Sequence, residues 1–172
     1  MVGVSFGSSE RSVSPKASVE LLPFERERRS TGLEWPYLGV SMVGLKRMEN
    51  IQLLVSDIIK NKVPGSLLEA GVWRGGASIF MEAVLKAHGI RNKLVILADS
   101  FHGLPKGNHK LHKKDVGWDK LTYLQVSDQR VAIHFRKFNL LAKNIYFLKG
   151  FFNNTMPPLS NYLTTQSTKI IE

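Results

Sequence analysis

The stretch Leu67-Leu68-Glu69-Ala70-Gly71-Val72-Trp73-Arg74-Gly75-Gly76-Ala77-Ser78-Ile79-Phe80 decides the fold. Leu67 to Gly71 is a short apolar run that reads as a strand. From Ser78 to His88 the residues Ile79, Phe80, Ala83, Val84 and Ala87 recur at helical spacing, and Gly89 closes that helix. Glycines at the carboxyl end of a strand let backbone approach a ligand closely, and the helix that follows offers unpaired N–H donors at its N-terminus. The turn is therefore a candidate binding element, with a merely tight strand-to-helix connection as the alternative. It lacks the Gly-Lys-Ser/Thr of a phosphate-binding P-loop and the Gly-x-Gly-x-x-Gly spacing of a dinucleotide site.

Working outward, Lys93 to Ala98 and Asn144 to Leu148 predict two more strands. Such continuous apolar runs point to strands buried on both faces of a parallel sheet. Ser41 to Lys62 carries Leu45, Met48, Ile51, Val55, Ile58 and Ile59 on one helical face, with Ser41 as N-cap and Val63-Pro64-Gly65 as the stop. Ser127 to Leu141 predicts a further helix, with Val131, Phe135, Phe138 and Leu141 inward and Ser127 as cap. The alternation gives the class α/β. Ser100 to Val126 is long for a connection and reads as a lid or binding loop. Residues 1–34 are expected to form a flexible tail, 35–158 the α/β domain and 159–172 an irregular C-terminal tail.

Asp99 ends the second strand, beside the glycine turn if a right-handed crossover joins the two strands. A carboxylate there can accept both hydroxyls of a ribose, or it is simply a solvated strand end. Glu69, just before the turn, is placed to meet the amino end of a cofactor.

The 172 residues are 43% hydrophobic, enough for one domain with a core, and contain no cysteine. A disulfide framework, a thiolate zinc site and a cysteine nucleophile are thereby excluded. No apolar run has the length of a bilayer span and no secretory core is present, so a cytoplasmic location is expected. Organelle targeting stays open, because the Ser- and Arg-rich start has transit-peptide character, against which Glu10 and Glu20 count. The net charge of +10 is concentrated between Lys106 and Lys143, where nine Lys/Arg face three Asp. That segment is read as a solvated basic loop. Use of Trp118 and Tyr123 with these lysines for nucleic acid would want a regular aromatic stripe, which is lacking.

Several blocks in register, Val63-Pro64-Gly65, Glu69 to Met81, and Ala98-Asp99-Ser100-Phe101-His102-Gly103-Leu104-Pro105, closely resemble the macrocin O-methyltransferase family. Met42 to Arg47, Phe147 to Phe152 and Thr155-Met156-Pro157 are similar to its segments too, so the resemblance runs from about Ser41 to Pro158. It implies a Rossmann-like class I methyltransferase fold, an S-adenosylmethionine cofactor, magnesium, and methyl transfer to a hydroxyl of a sugar or small-molecule acceptor. By that resemblance Glu69, Gly71 and Gly75 line the methionine end, Asp99 holds the ribose, and Ser100 and Phe101 flank the adenosine. Met42, Arg74 and Ser78 join the expected cofactor-binding set.

The family's Asp-Gly-Asp strand and its later pair of adjacent Asp residues, which supply metal ligands and base, are absent from this sequence. His109 and His112 are read as surface residues, so no metal site and no catalytic residue is assigned. The expectation is an α/β domain truncated after about its third strand, with the cofactor half present and the catalytic half missing. The alternative is a non-catalytic remnant that binds cofactor weakly or acts as an interaction module. With no fourth strand beside it, Leu67 to Gly71 should be a sheet edge open to self-association.

Overall fold

Val95, Ile96, Leu97 and Ala98 are all buried, which only a strand covered on both faces can achieve. In the computed structural model, which describes residues 3–5, 20–108, 110 and 117–168, this strand is the middle of a parallel sheet. The elements in chain order are β1 (Gly3–Ser5), β2 (Glu20–Leu22), α1 (Arg26–Thr31), β3 (Trp35–Pro36), α2 (Leu45–Lys60), β4 (Leu67–Ala70), α3 (Gly76–Ala87), β5 (Val95–Asp99), α4 (Asp128–Lys137), β6 (Ile145–Lys149) and α5 (Phe152–Thr168). The main sheet has the order β4-β5-β6, and a small antiparallel sheet the order β2-β1-β3.

The three predicted strands are therefore present and parallel, each followed by a helix. Register pairs Leu68 with Ile96 and Ile96 with Tyr146, so these three share one face. Leu67, Val95 and Ile145 share the other. Right-handed crossovers through α3 and α4, with the strands in monotonic order, put both helices on one side of the sheet. Burial agrees with that asymmetry. Leu67 and Val95 are buried, whereas Leu68 is 41% and Tyr146 53% exposed. Burial on both faces, expected of all three strands, holds for β5 and not for β4 and β6.

The core joins α2, α3, α4 and the sheet through Val55, Val84, Leu85, Val95, Leu97, Val131 and Phe135. The helix expected from Ser41 starts instead at Leu45, after Gly44 in the left-handed region at φ +78°. Ser41 is no N-cap: its hydroxyl accepts from the N–H of Val43 at 3.3 Å, in a turn ahead of the helix. Ser127 does cap α4, accepting from the N–H of Arg130 at 3.2 Å. That helix stops at Lys137, leaving Phe138 exposed, and Leu140 rather than Leu141 returns to the core.

Several segments expected to be irregular carry regular structure, β1 and β2 of the small sheet among them. Residues 26–31 form α1, which packs on α2, and Gly32 ends it in the left-handed region with its N–H on the carbonyl of Arg29. Arg29 pairs with the buried Glu34 just beyond. Residues 152–168 form α5, with Pro157 and Pro158 inside it, where 159–172 was expected to lack regular structure.

Strand β4 pairs only with β5, so its outer N–H and C=O groups are a free edge among the described residues. Together with the open row of Leu68 and Tyr146, that edge is expected to drive concentration-dependent association of the chain. Light scattering over a dilution series checks it, and Leu68→Lys should shift the distribution towards the monomer. A single species of 19.4 kDa at every concentration would count against this expectation.

Candidate functional site

The site is built where β4 and β5 end side by side. Gly71 leaves β4 at φ +86° while its N–H still donates to the carbonyl of Ala98 at 2.9 Å. The chain then turns through Val72, Trp73 and Arg74 into Gly75 at φ +87°, where α3 begins. Trp73 also takes a left-handed backbone, φ +49°, which a residue with a side chain adopts at a cost of about 1–3 kcal/mol.

Asp99 offsets that cost. Its Oδ2 accepts from the N–H of Val72 at 2.7 Å and of Trp73 at 3.3 Å. Its Oδ1 accepts from the N–H of Phe101 at 2.9 Å, and Phe101 is left-handed too, φ +55°. One carboxylate thus braces the turns that follow both strands. Ser100 extends this turn by donating its hydroxyl to the carbonyl of Gly103 at 2.5 Å and accepting from the N–H of His102 at 3.1 Å. The ring of Phe101 does not face the turn; it is 3% exposed and packs on Phe147 with ring centroids 5.7 Å apart. What Phe101 offers a ligand is therefore its backbone.

Glu69 performs the corresponding task for the helix start. Its Oε2 accepts from the N–H of Ser78 at 3.0 Å and from the Ser78 hydroxyl, satisfying an otherwise unpaired donor of the first turn. Burial pushes the Glu69 carboxyl up to about 7; the Ser78 hydrogen bonds oppose the rise and the nearby Asp99 charge adds to it. A carboxylate poised near neutrality at a helix N-terminus favours a cationic group beside it.

Arg74 is placed differently from the rest of the predicted set. Its Nη1 donates to the carbonyls of Pro36 at 3.2 Å, Tyr37 at 2.9 Å and Gly39 at 2.9 Å. The guanidinium lies 4.3 Å from the Trp73 ring centroid and 4.9 Å from that of Tyr123, and burial lowers its pKa from the ordinary arginine value. Tyr123 in turn stacks on Trp35 at 5.5 Å and 8°, and its hydroxyl donates to the carbonyl of Pro36 at 2.7 Å. Trp73 donates its indole N–H to the carbonyl of Tyr123 at 3.0 Å. His134 of α4 meets the Arg74 carbonyl at 2.9 Å.

The long segment after β5 therefore folds back over the glycine turn through Tyr123. Residues 40–41 close the same region from the other side. A Cβ on Gly76 would lie 2.5 Å from the carbonyl oxygen of Val40, so only glycine lets that backbone rest on the first turn of α3. Met42, half-buried, follows directly.

The structure thus brings Glu69, Gly71, Gly75, Ser78, Asp99 and Ser100 to one turn. It assigns Arg74 to the neighbouring segment instead. Trp35, Trp73, Tyr123 and His134 were missing from the predicted set. Nothing local announces them: the contacts that place them reach 50 to 88 residues along the chain. Among the described residues no three His, Asp or Glu side chains gather as a metal-binding group. His109 and His112 lie outside the described residues.

Residues 6–163 match the macrocin O-methyltransferase (TylF) family. The chain is 41% identical over 143 residues to demethyldecarbamoylnovobiocin O-methyltransferase of Streptomyces niveus, covering 78% of this chain and 52% of that protein. It is 40% identical over 136 residues to 8-demethyl-8-(2,3-dimethoxy-alpha-L-rhamnosyl)-tetracenomycin-C 4'-O-methyltransferase of Streptomyces olivaceus, with 77% and 52% covered. The solved structure of the O-methyltransferase NovP superposes with a TM-score of 0.70 at 40% identity, over 78% of this chain and 57% of that one. The chain spans about half the length of the curated relatives it matches.

The raised Glu69 pKa makes stability depend on pH. The unfolded chain releases this proton near 4.5 and the folded chain near 7, so between those values the native state holds more protons and stability falls as pH rises. At about 1.4 kcal/mol per unit, the loss is on the order of 3–4 kcal/mol and is complete above about pH 7. Urea unfolding of wild type and Glu69→Gln from pH 4 to 8 is expected to show this fall in the wild type only. Parallel curves would refute the assignment.

Proposed function

The chain belongs to the macrocin O-methyltransferase family, and from that premise we propose that it forms the S-adenosylmethionine-binding part of an enzyme that methylates a hydroxyl of a sugar or small-molecule acceptor. The observation that carries the reading is the pair of carboxylates at the ends of β4 and β5, one on each side of a left-handed glycine turn at a helix start. Glu69, with Oε1 accepting from no described residue, suits the cofactor's ammonium group. Gly71, where a Cβ would meet nothing within 4 Å, leaves room for its carboxylate and sulfonium, while Gly75 packs against Val131 of α4 and carries the turn into α3. Asp99 and the backbone at Ser100 and Phe101 suit the ribose and adenine, the ribose hydroxyls sharing Oδ1 with the Phe101 N–H. Met42 follows the segment that walls the start of α3.

Bound S-adenosylmethionine supplies an electrophilic methyl on sulfur. The residues described here bind and orient; none of them stands as a base for an acceptor hydroxyl, a role that needs a group within hydrogen-bond reach of the proton. Choice of acceptor, base and metal therefore falls to residues other than these. The sheet edge and open face leave room for the second reading, a module that binds cofactor and a protein partner without turnover.

Calorimetry with S-adenosylmethionine or S-adenosylhomocysteine tests the proposal. Binding is expected, and Asp99→Ala should weaken it by more than about tenfold, the loss of a charge-assisted hydrogen bond being roughly 1.5–3 kcal/mol. An unchanged affinity in Asp99→Ala would remove the ribose assignment. Incubation of the 172-residue chain with sugar or catechol acceptors is expected to give no methyl transfer, with or without magnesium. Magnesium-dependent product would show that the carboxylates needed for catalysis are already present.

A further inference from the structure

We propose that Arg74 is a positioning residue that latches residues 35–41 as a strap over the cofactor turn, so that strap closure and cofactor binding are coupled. Three facts place the latch in Arg74 and not in general packing. Its guanidinium gathers three carbonyls from within four residues of the strap, at Pro36, Tyr37 and Gly39. All three bonds are made by Nη1, which commits that end of the guanidinium to the strap, with Nε and Nη2 outside these bonds. Its two aromatic neighbours, Trp73 and Tyr123, belong to the turn and to the long segment, and Tyr123 also holds the strap by stacking on Trp35 and bonding Pro36. The backbone of the same residue is part of the turn, its carbonyl fixed by His134 of α4.

Arg74 therefore reads the strap with its side chain and shapes the turn with its backbone. The strap itself is drawn tight: a Cβ on Gly39 would lie 2.7 Å from Cβ of Pro36, and the carbonyl of Val40 rests on Gly76 at the start of α3. Loss of the latch frees one wall of the site and leaves Glu69, Gly71 and Asp99 in place. Coupling of this kind is reciprocal, so bound cofactor must also hold the strap closed. That second half rests on the cofactor reading above; the latch does not.

The strap carries its own reporter. Tyr37 is 46% and Leu38 85% exposed, yet the carbonyl of the bond between them is one that Arg74 holds. Chymotrypsin cleavage after Tyr37, followed by mass spectrometry on the full chain, measures strap opening. Cleavage after Phe135, which is fully buried, measures global unfolding in the same digest. Arg74→Met is expected to speed cleavage after Tyr37 by about tenfold or more while leaving cleavage after Phe135 little changed. S-adenosylhomocysteine should slow cleavage after Tyr37 in the wild type, and its affinity should fall in Arg74→Met by a similar factor.

Gly39→Ala, which disturbs the strap while keeping the Arg74 side chain, carries the same expectations should Arg74→Met fail to fold. Unchanged cleavage after Tyr37 in the variant overturns the latch. Weakened binding with unchanged cleavage makes Arg74 a direct ligand instead, and faster cleavage with unchanged affinity removes the coupling. Failure of the wild type to bind S-adenosylhomocysteine at all would sink the cofactor reading and the coupling with it, while the cleavage comparison would still judge the latch.

Discussion

The carboxylate of Asp99 is the constraint on which the glycine turn depends. Two residues with side chains, Trp73 and Phe101, adopt left-handed backbone here, and the N–H of each donates to it. Such conformations persist only where the surroundings over-determine them. Asp99 can hold both because β4 and β5 are parallel neighbours in register, Ala70 beside Ala98, which brings both strand ends to one place. Remove the register and the two turns lose their common anchor. The geometry of the turn is thus a consequence of the sheet pairing.

Glu69 and Asp99 share one arrangement and differ in electrostatic condition. Both accept backbone N–H groups, but Glu69 lies where burial outweighs its hydrogen bonds and lifts its pKa to about 7. A helix N-terminus would ordinarily favour its ionised form by up to about 1 kcal/mol. That this is overridden means the position is held at a standing cost. Groups kept that way are common where a charged ligand completes the environment.

How much of this was legible in the sequence depends on the range of the interactions. The strands of the main sheet were readable because their apolar runs are continuous, and α3 because its spacing and closing glycine are local. Glu69 and Asp99 were readable from their places at strand ends. The start of α2 was misread because Ser41 looks like a cap, while the structure uses Gly44 to turn the chain and spends Ser41 on the N–H of Val43. Helix α5 was missed because Pro157 and Pro158 argue against a helix and its apolar residues lack periodicity. Helix α1 was missed because none of its residues is buried and its position depends on α2. Arg74 matched a family pattern yet has a role set by carbonyls 35 to 38 residues earlier in the chain, a distance that no motif spans.

Local and distant contributions also divide the work of the site. The turn, its two carboxylates and the start of α3 all come from residues 69–101, and there the carboxylates satisfy the N–H groups of Val72, Trp73, Ser78 and Phe101. Its walls come from far away in sequence: residues 35–41 through Arg74, residues 118–126 through Tyr123, and α4 through His134. A self-contained turn can keep its shape while its walls vary. Under the proposed function this separates what would recognise the common part of a cofactor from what would control access to it. The glycine turn is therefore readable as a motif, whereas the enclosure around it is visible only once the chain is folded.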